Sequence, residues 1–172
     1  MDFVLTNDRL EHKVIIFTGS TQGLGEYIAH RVARLGAAGI VVCGRNEANG
    51  KKVVCGLEKV GTKAIYVQAD LAKEEDCRKI VQHCDETFGR VDGLVNSAGL
   101  SSRGTLDSTS VELWDKLFNV NARAPFILMQ ETVRIMKREG IKGSIVNILT
   151  MGSYGGPPQL MAYCSSKAAL SV

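Results

Sequence analysis

Tyr163 and Lys167 stand four residues apart in a stretch whose pattern predicts a helix from about residue 159. That spacing puts both side chains on one face. A phenol is a poor acid or base near neutral pH. An ammonium a few ångströms away favours the ionised form of such a group, so the pair could give a proton to a carbonyl oxygen or take one from an alcohol. The same spacing also occurs as a plain solvent-facing pair with an interaction of roughly a few tenths of a kcal/mol.

A second feature lies near the start. Thr18-Gly19-Ser20-Thr21-Gln22-Gly23-Leu24-Gly25 follows a short β-branched run over 14–17 and opens a segment with Leu24, Ile28, Val32 and Leu35 at helical spacing. Between a strand and a helix, such glycines permit a tight turn, a close approach of backbone to a pyrophosphate, and helix-on-strand packing. The helix N-terminus then offers unpaired N–H groups to the phosphates. Gly19, Ser20, Thr21, Gln22, Gly23, Leu24 and Gly25 are therefore candidate dinucleotide ligands, and a turn serving chain reversal alone is the plainer alternative.

Which dinucleotide is set at the end of the second strand, where an acid suits a ribose 2′-hydroxyl and a cation suits a 2′-phosphate. Here the run is Cys43-Gly44-Arg45-Asn46. Arg45 stands about twenty residues beyond the turn and Gly44 brings no carboxylate, which favours NADP(H). Glu47 is the rival: were it to reach the ribose, NAD(H) would be preferred and Arg45 would be a solvated helix-start residue.

The elements that must position these groups alternate regularly. Strands are expected over 14–17, 40–43, 64–68, 91–95 and 145–149. Helices are expected over 24–35 with Gly36 as a stop, over 48–60, 74–88 and 110–138, and from about 159. Pro125 should kink the long helix or be accommodated by its neighbours. Strands trading with helices imply right-handed crossovers and a parallel sheet covered on both faces: an α/β, doubly wound Rossmann fold. The 172 residues, 45% hydrophobic and 23% charged, suit one domain with a real core. A net charge of +3 without a dense basic stripe argues against a nucleic-acid partner, and the basic stretch over 134–142 suits a helix C-terminus. Five cysteines without a Cys-x-x-Cys pair fit a reducing, cytoplasmic compartment. No run is long enough for a signal peptide over 1–13 or for a membrane span later, and no metal site is expected.

Taken in order, these motifs resemble the short-chain dehydrogenase/reductase family, in its NADP-preferring, 3-oxoacyl-carrier-protein-reductase-like type. The likeness runs over essentially the whole chain from about Leu10. Besides the glycine turn, Asp70-Leu71 is similar to the family's adenine-contacting Asp. Asn96-Ser97-Ala98-Gly99 is similar to its Asn-Asn-Ala-Gly motif, with Ser97 in place of the second Asn. Asn121 matches its active-site Asn, and Tyr163 and Lys167 match its catalytic pair. Where the family usually has a serine, thirteen positions before the tyrosine, this chain has Thr150, whose methyl narrows the pocket. Ser153 is the alternative donor, and either hydroxyl could simply tie down a glycine-rich loop. Asp70 and Asn96 likewise could be turn residues only.

What the resemblance implies is an oxidoreductase moving a hydride between NADP(H) and a secondary alcohol or ketone. Tyr163 would transfer the proton and Thr150 would polarise the substrate oxygen. Lys167 would assist Tyr163 and bind the nicotinamide ribose. Asn121 would hold a water through a local helix distortion. A noncatalytic nucleotide-binding or interaction module of the same fold is the alternative. The resemblance further implies that 1–172 is one dinucleotide-binding and catalytic domain lacking its last strands and substrate loop, so that the fifth strand should leave apolar surface bare. Leu113, Leu117, Val120 and Phe126 suit either a homodimer or homotetramer contact or a core within one subunit.

Overall fold

The structure, a computed structural model, describes residues 10–171. Residues 1–9, most of the stretch read for a leader, and Val172 lie outside the described residues. Five strands, β1 (Val14–Thr18), β2 (Gly39–Gly44), β3 (Lys63–Gln68), β4 (Gly93–Asn96) and β5 (Ser144–Asn147), form one parallel sheet in the order β3-β2-β1-β4-β5. The chain winds outward from β1 through β3, then crosses back to β4, so the strand order reverses between β1 and β4. A crevice opens at the carboxyl ends of the strands at such a point.

Among the described residues there are six α-helices: α1 (Gly23–Arg34), α2 (Glu47–Glu58), α3 (Glu74–Phe88) and α5 (Ala124–Arg138), which pack on the sheet, and α4 (Val111–Phe118) and α6 (Met161–Leu170), which pack on each other. Alternate residues of a strand face opposite sides, and β1 shows the result. Ile15 and Phe17 join Ala29 and Ala33 of α1 and Val53 and Leu57 of α2. Ile16 joins Ile80, Val81 and Cys84 of α3 and Ile127 and Leu128 of α5. All five β1 residues are buried, which explains why the strand is continuously apolar rather than alternating.

Four expectations are corrected in detail. The long helix over 110–138 is not continuous: α4 passes into a π-helical turn, Asn119–Arg123, in which Ala124 N–H donates to the Asn119 carbonyl five residues back. Pro125 has no N–H for the Asn121 carbonyl and its ring crowds that carbonyl, so the wider turn resolves the conflict, and the proline falls in the first turn of α5. The fourth strand begins at Gly93 rather than 91, since the Asp92 carboxylate itself accepts the Val14 N–H at 3.0 Å, in place of a carbonyl. The fifth ends at Asn147, because the Ile148 carbonyl is diverted to Lys167 Nζ, 2.8 Å away. α1 stops one residue before its expected end, and Gly36 follows with φ +88°.

β5 is an edge strand with Val146 49% exposed. Of the apolar residues in α4 and α5, Leu117 is buried in the chain's own core and Phe126 is exposed. Among the described residues no helix is long and apolar enough to cross a membrane.

Candidate active site

The crevice at the strand ends encloses about 380 Å³. Gly19, Thr21, Gln22, Gly23, Leu24 and Gly25 line its floor, Gly44 and Arg45 the end of β2, Asp70 and Leu71 the end of β3, and Ala98 and Gly99 the end of β4. The glycine turn is shaped by contacts that allow no side chain. At Gly19, φ is +63° and a Cβ would stand 2.7 Å from Ala98 Cα. At Gly25, a Cβ would meet the Gly19 carbonyl oxygen at 2.6 Å. Gly23, at φ +61°, faces open space instead. Gln22 provides no side-chain cap for α1, and among the described residues no side chain is bonded to the N–H groups that open the helix beside the crevice.

Thr18 links this turn to the β4 end, a role that sequence reasoning did not find. Its Oγ1 accepts from Ser97 N at 3.1 Å and Ala98 N at 3.0 Å. The β2 end is fixed from β3: Tyr66 Oη donates to the Gly44 carbonyl at 2.7 Å, and Gln68 Nε2 donates to the Arg45 carbonyl at 3.2 Å. The Arg45 side chain is left exposed and makes no hydrogen bond or ion pair among the described residues. Glu47, the rival ribose ligand, is engaged by Lys51 at 2.6 Å, and that hydrogen bond holds its carboxyl below the ordinary glutamate value.

Several expected ligands are placed elsewhere. Ser20 is fully buried: its hydroxyl donates to the Phe17 carbonyl at 2.7 Å and accepts from Cys43 N, stapling the turn to β1 and β2. Asn46 caps α2, accepting from Asn49 N at 2.9 Å. Asn96 does not line the crevice either. Its Nδ2 donates to Asn147 Oδ1 at 2.9 Å, joining β4 to its register partner on β5, while its Oδ1 is buried without a partner. Asp70 does line the crevice, yet its Oδ1 accepts from Ala72 N as a turn residue would. Cys43, Ala69, Ser97, Leu100, Lys116 and Val120 line it as well.

Tyr163, half-buried, and Lys167, 3% exposed, lie one turn apart on α6, which packs on α4, the π-helical turn and a short 3₁₀ turn, Met151–Tyr154. Burial pulls the Lys167 ammonium below its ordinary value. Asn121, fully buried in the π-helical turn, accepts from Leu100 N at 2.8 Å and donates to the Leu100 carbonyl at 2.8 Å and Ser166 Oγ at 2.9 Å. It thereby ties the β4 loop to α6. Thr150 caps the 3₁₀ turn, its Oγ1 accepting from Gly152 N at 3.3 Å, whereas Ser153 Oγ is buried without a partner.

Gly99 joins the two halves of the site. It lines the crevice, and a Cβ there would stand 3.6 Å from Lys167 Nζ and 3.7 Å from Asn121 Oδ1. Tyr163, Lys167, Asn121 and Thr150 do not themselves line the crevice; Gly99 lies between it and the buried lysine.

The family model described as short chain dehydrogenase matches residues 13–172. The chain belongs to the short-chain dehydrogenase family. It is 38% identical over 158 residues to an uncharacterised oxidoreductase of Thermotoga maritima, covering 92% of this chain and 61% of the relative. It is 35% identical over 166 residues to the NADP-dependent (R)-specific alcohol dehydrogenase of Lentilactobacillus kefiri, covering 96% and 65%. A crystal structure of a short-chain dehydrogenase/reductase from Burkholderia phymatum in complex with NAD superposes with a TM-score of 0.89 at 27% identity, over 95% of this chain and 58% of that one. The chain spans about six-tenths of the length of these curated relatives.

Proposed function

We propose that the chain carries the dinucleotide site and proton-transfer pair of an NADP(H)-dependent oxidoreductase acting on a secondary alcohol or ketone. The observation that carries this is Gly99, which borders the crevice and Lys167 at once. A nicotinamide dinucleotide, as in relatives that use NADP or bind NAD, suits the residues present. The glycine floor has no side chain in the way, the α1 N-terminus is uncapped, and the exposed Arg45 guanidinium is unpaired for a 2′-phosphate. When bound, that group supplies or accepts the hydride.

The chain's own residues handle the proton and the alignment. Tyr163 gives its hydroxyl proton to a carbonyl oxygen, or receives one from an alcohol. Lys167, held through Ile148, stands one turn away as a positive charge beside the developing phenolate and reaches for the nicotinamide ribose. Thr150, with one lone pair engaged by Gly152 N, keeps its own proton for the substrate oxygen. Asn121 and Ser166 hold α6 in register with the β4 loop.

Ketone-dependent NADPH consumption tests this. Tyr163→Phe is expected to abolish turnover while leaving NADPH affinity nearly intact, and retained activity removes Tyr163 from the chemistry. Cofactor choice is tested by titrating NADPH and NADH; tighter NADH binding defeats the role of Arg45.

A further inference from the structure

Two cations line the crevice, Arg45 and Lys116, and only the first belongs to a recognisable motif. Lys116 lies on α4, and Val120, four residues on in the π-helical turn, lines the same crevice. The other lining side chains and backbone come from the strand ends and α1. Lys116 is exposed and makes no hydrogen bond or ion pair among the described residues.

Glu112 is four residues before Lys116, in the orientation that usually forms a helical ion pair, and elsewhere in the chain such pairs do form, Glu47 with Lys51 at 2.6 Å and Glu74 with Arg78 at 2.8 Å. Glu112 and Lys116 form no such pair among the described residues; the Glu112 N–H and the Ser110 hydroxyl hold the Glu112 carboxyl below its ordinary value. The Ser110 oxygen in turn accepts from Leu113 N at 3.2 Å. Lys116 thus has no ionic partner among the described residues and lines a crevice in which the one carboxylate they supply, Asp70, has one oxygen occupied by Ala72 N.

We propose that Lys116 pairs with a phosphate of the bound dinucleotide. This rests on the dinucleotide site proposed above. The phosphate is either the diphosphate or the 2′-phosphate, and two ligands distinguish them. NADPH and NADH are titrated by fluorescence against the wild type, Lys116→Gln, Lys116→Arg and, as a control for net charge, Lys137→Gln. Lys137 is exposed on α5 and does not line the crevice.

Lys116→Gln is expected to bind about three- to tenfold more weakly, the range for a charge-assisted contact open to solvent. Weakening of both ligands assigns the diphosphate, and weakening of NADPH alone assigns the 2′-phosphate. Lys116→Arg is expected to retain affinity, and the difference between wild type and Lys116→Gln should shrink as salt is raised. Wild-type affinity in Lys116→Gln, or an equal loss in Lys137→Gln, overturns the proposal. A wild type that binds neither ligand overturns the dinucleotide site itself, a separate outcome.

Discussion

Gly19 and Gly23 offer a matched pair for asking what the phosphate-binding turn requires. Both have left-handed backbone, φ +63° and +61°, so an alanine at either carries the same conformational penalty of about 1 kcal/mol. Only Gly19 adds a steric one. Its Cβ would lie 2.7 Å from Ala98 Cα, 3.0 Å from Ala98 N and 3.1 Å from Ala98 Cβ, whereas the Cβ of residue 23 would meet nothing within 4 Å. Ala98 cannot simply retreat, since its N–H and that of Ser97 are both held by Thr18 Oγ1. Relieving the overlap means breaking that clamp or distorting the turn, at about 1–3 kcal/mol more. Gly19→Ala should therefore lose about 2–4 kcal/mol of stability and Gly23→Ala about 1 kcal/mol. Urea unfolding followed by circular dichroism, with the slope checked for constancy, measures both. Since Ala98 lines the crevice, Gly19→Ala should also weaken NADPH binding well beyond Gly23→Ala. Equal midpoints for the two variants would refute the close-approach argument and leave backbone strain as the sole cost.

Two further substitutions probe the framework. Burial pushes the Asp92 carboxyl upward, but hydrogen bonds from Arg90, the Val14 N–H and Lys13 outweigh it and hold the group below its ordinary value. A depressed folded value means the stabilisation is complete above the unfolded carboxyl pKa of about 3.9 and is lost as pH falls through the folded one. Asp92→Asn should cost about 1–3 kcal/mol at pH 7, with the gap to wild type narrowing below about pH 4; a gap unchanged in acid excludes the ionic contribution. Asn121→Ala removes the partner of the half-buried Leu100 N–H and carbonyl and one of the two bonds of the Ser166 hydroxyl, which keeps its bond to the Tyr163 carbonyl, and should cost about 1–3 kcal/mol. Unfolding by urea reads this directly, and a loss within 0.5 kcal/mol, the size of an ordinary surface change, counts against it.

The strand-helix order, the glycine turn and the Tyr163–Lys167 face were legible in the sequence because each rests on short-range periodicity. Element ends were less so, since they depend on partners remote in sequence: Asp92 delays β4 by capturing Val14, and Lys167 ends β5 by capturing Ile148. Pro125 was correctly suspect, yet its effect is a π-helical turn rather than a bend in one helix, because widening the turn leaves Asn121 pointing at Leu100 and Ser166.

The same distinction explains which site residues could be read and which could not. A motif shows that a segment reaches the crevice, but not which of its members faces inward. At the strand ends the short polar residues Thr18, Ser20 and Asn96 turn away to join neighbouring strands, and the glycines between them leave the cavity open. Lys116 reverses the case. No motif marks it, and its place in the crevice, exposed and without an ionic partner among the described residues, shows only in the structure. A Glu and a Lys four apart read in sequence as an ion pair, which Glu112 and Lys116 do not form among the described residues. Binding groups of this kind are visible only once the competition for each charged partner has been resolved in three dimensions.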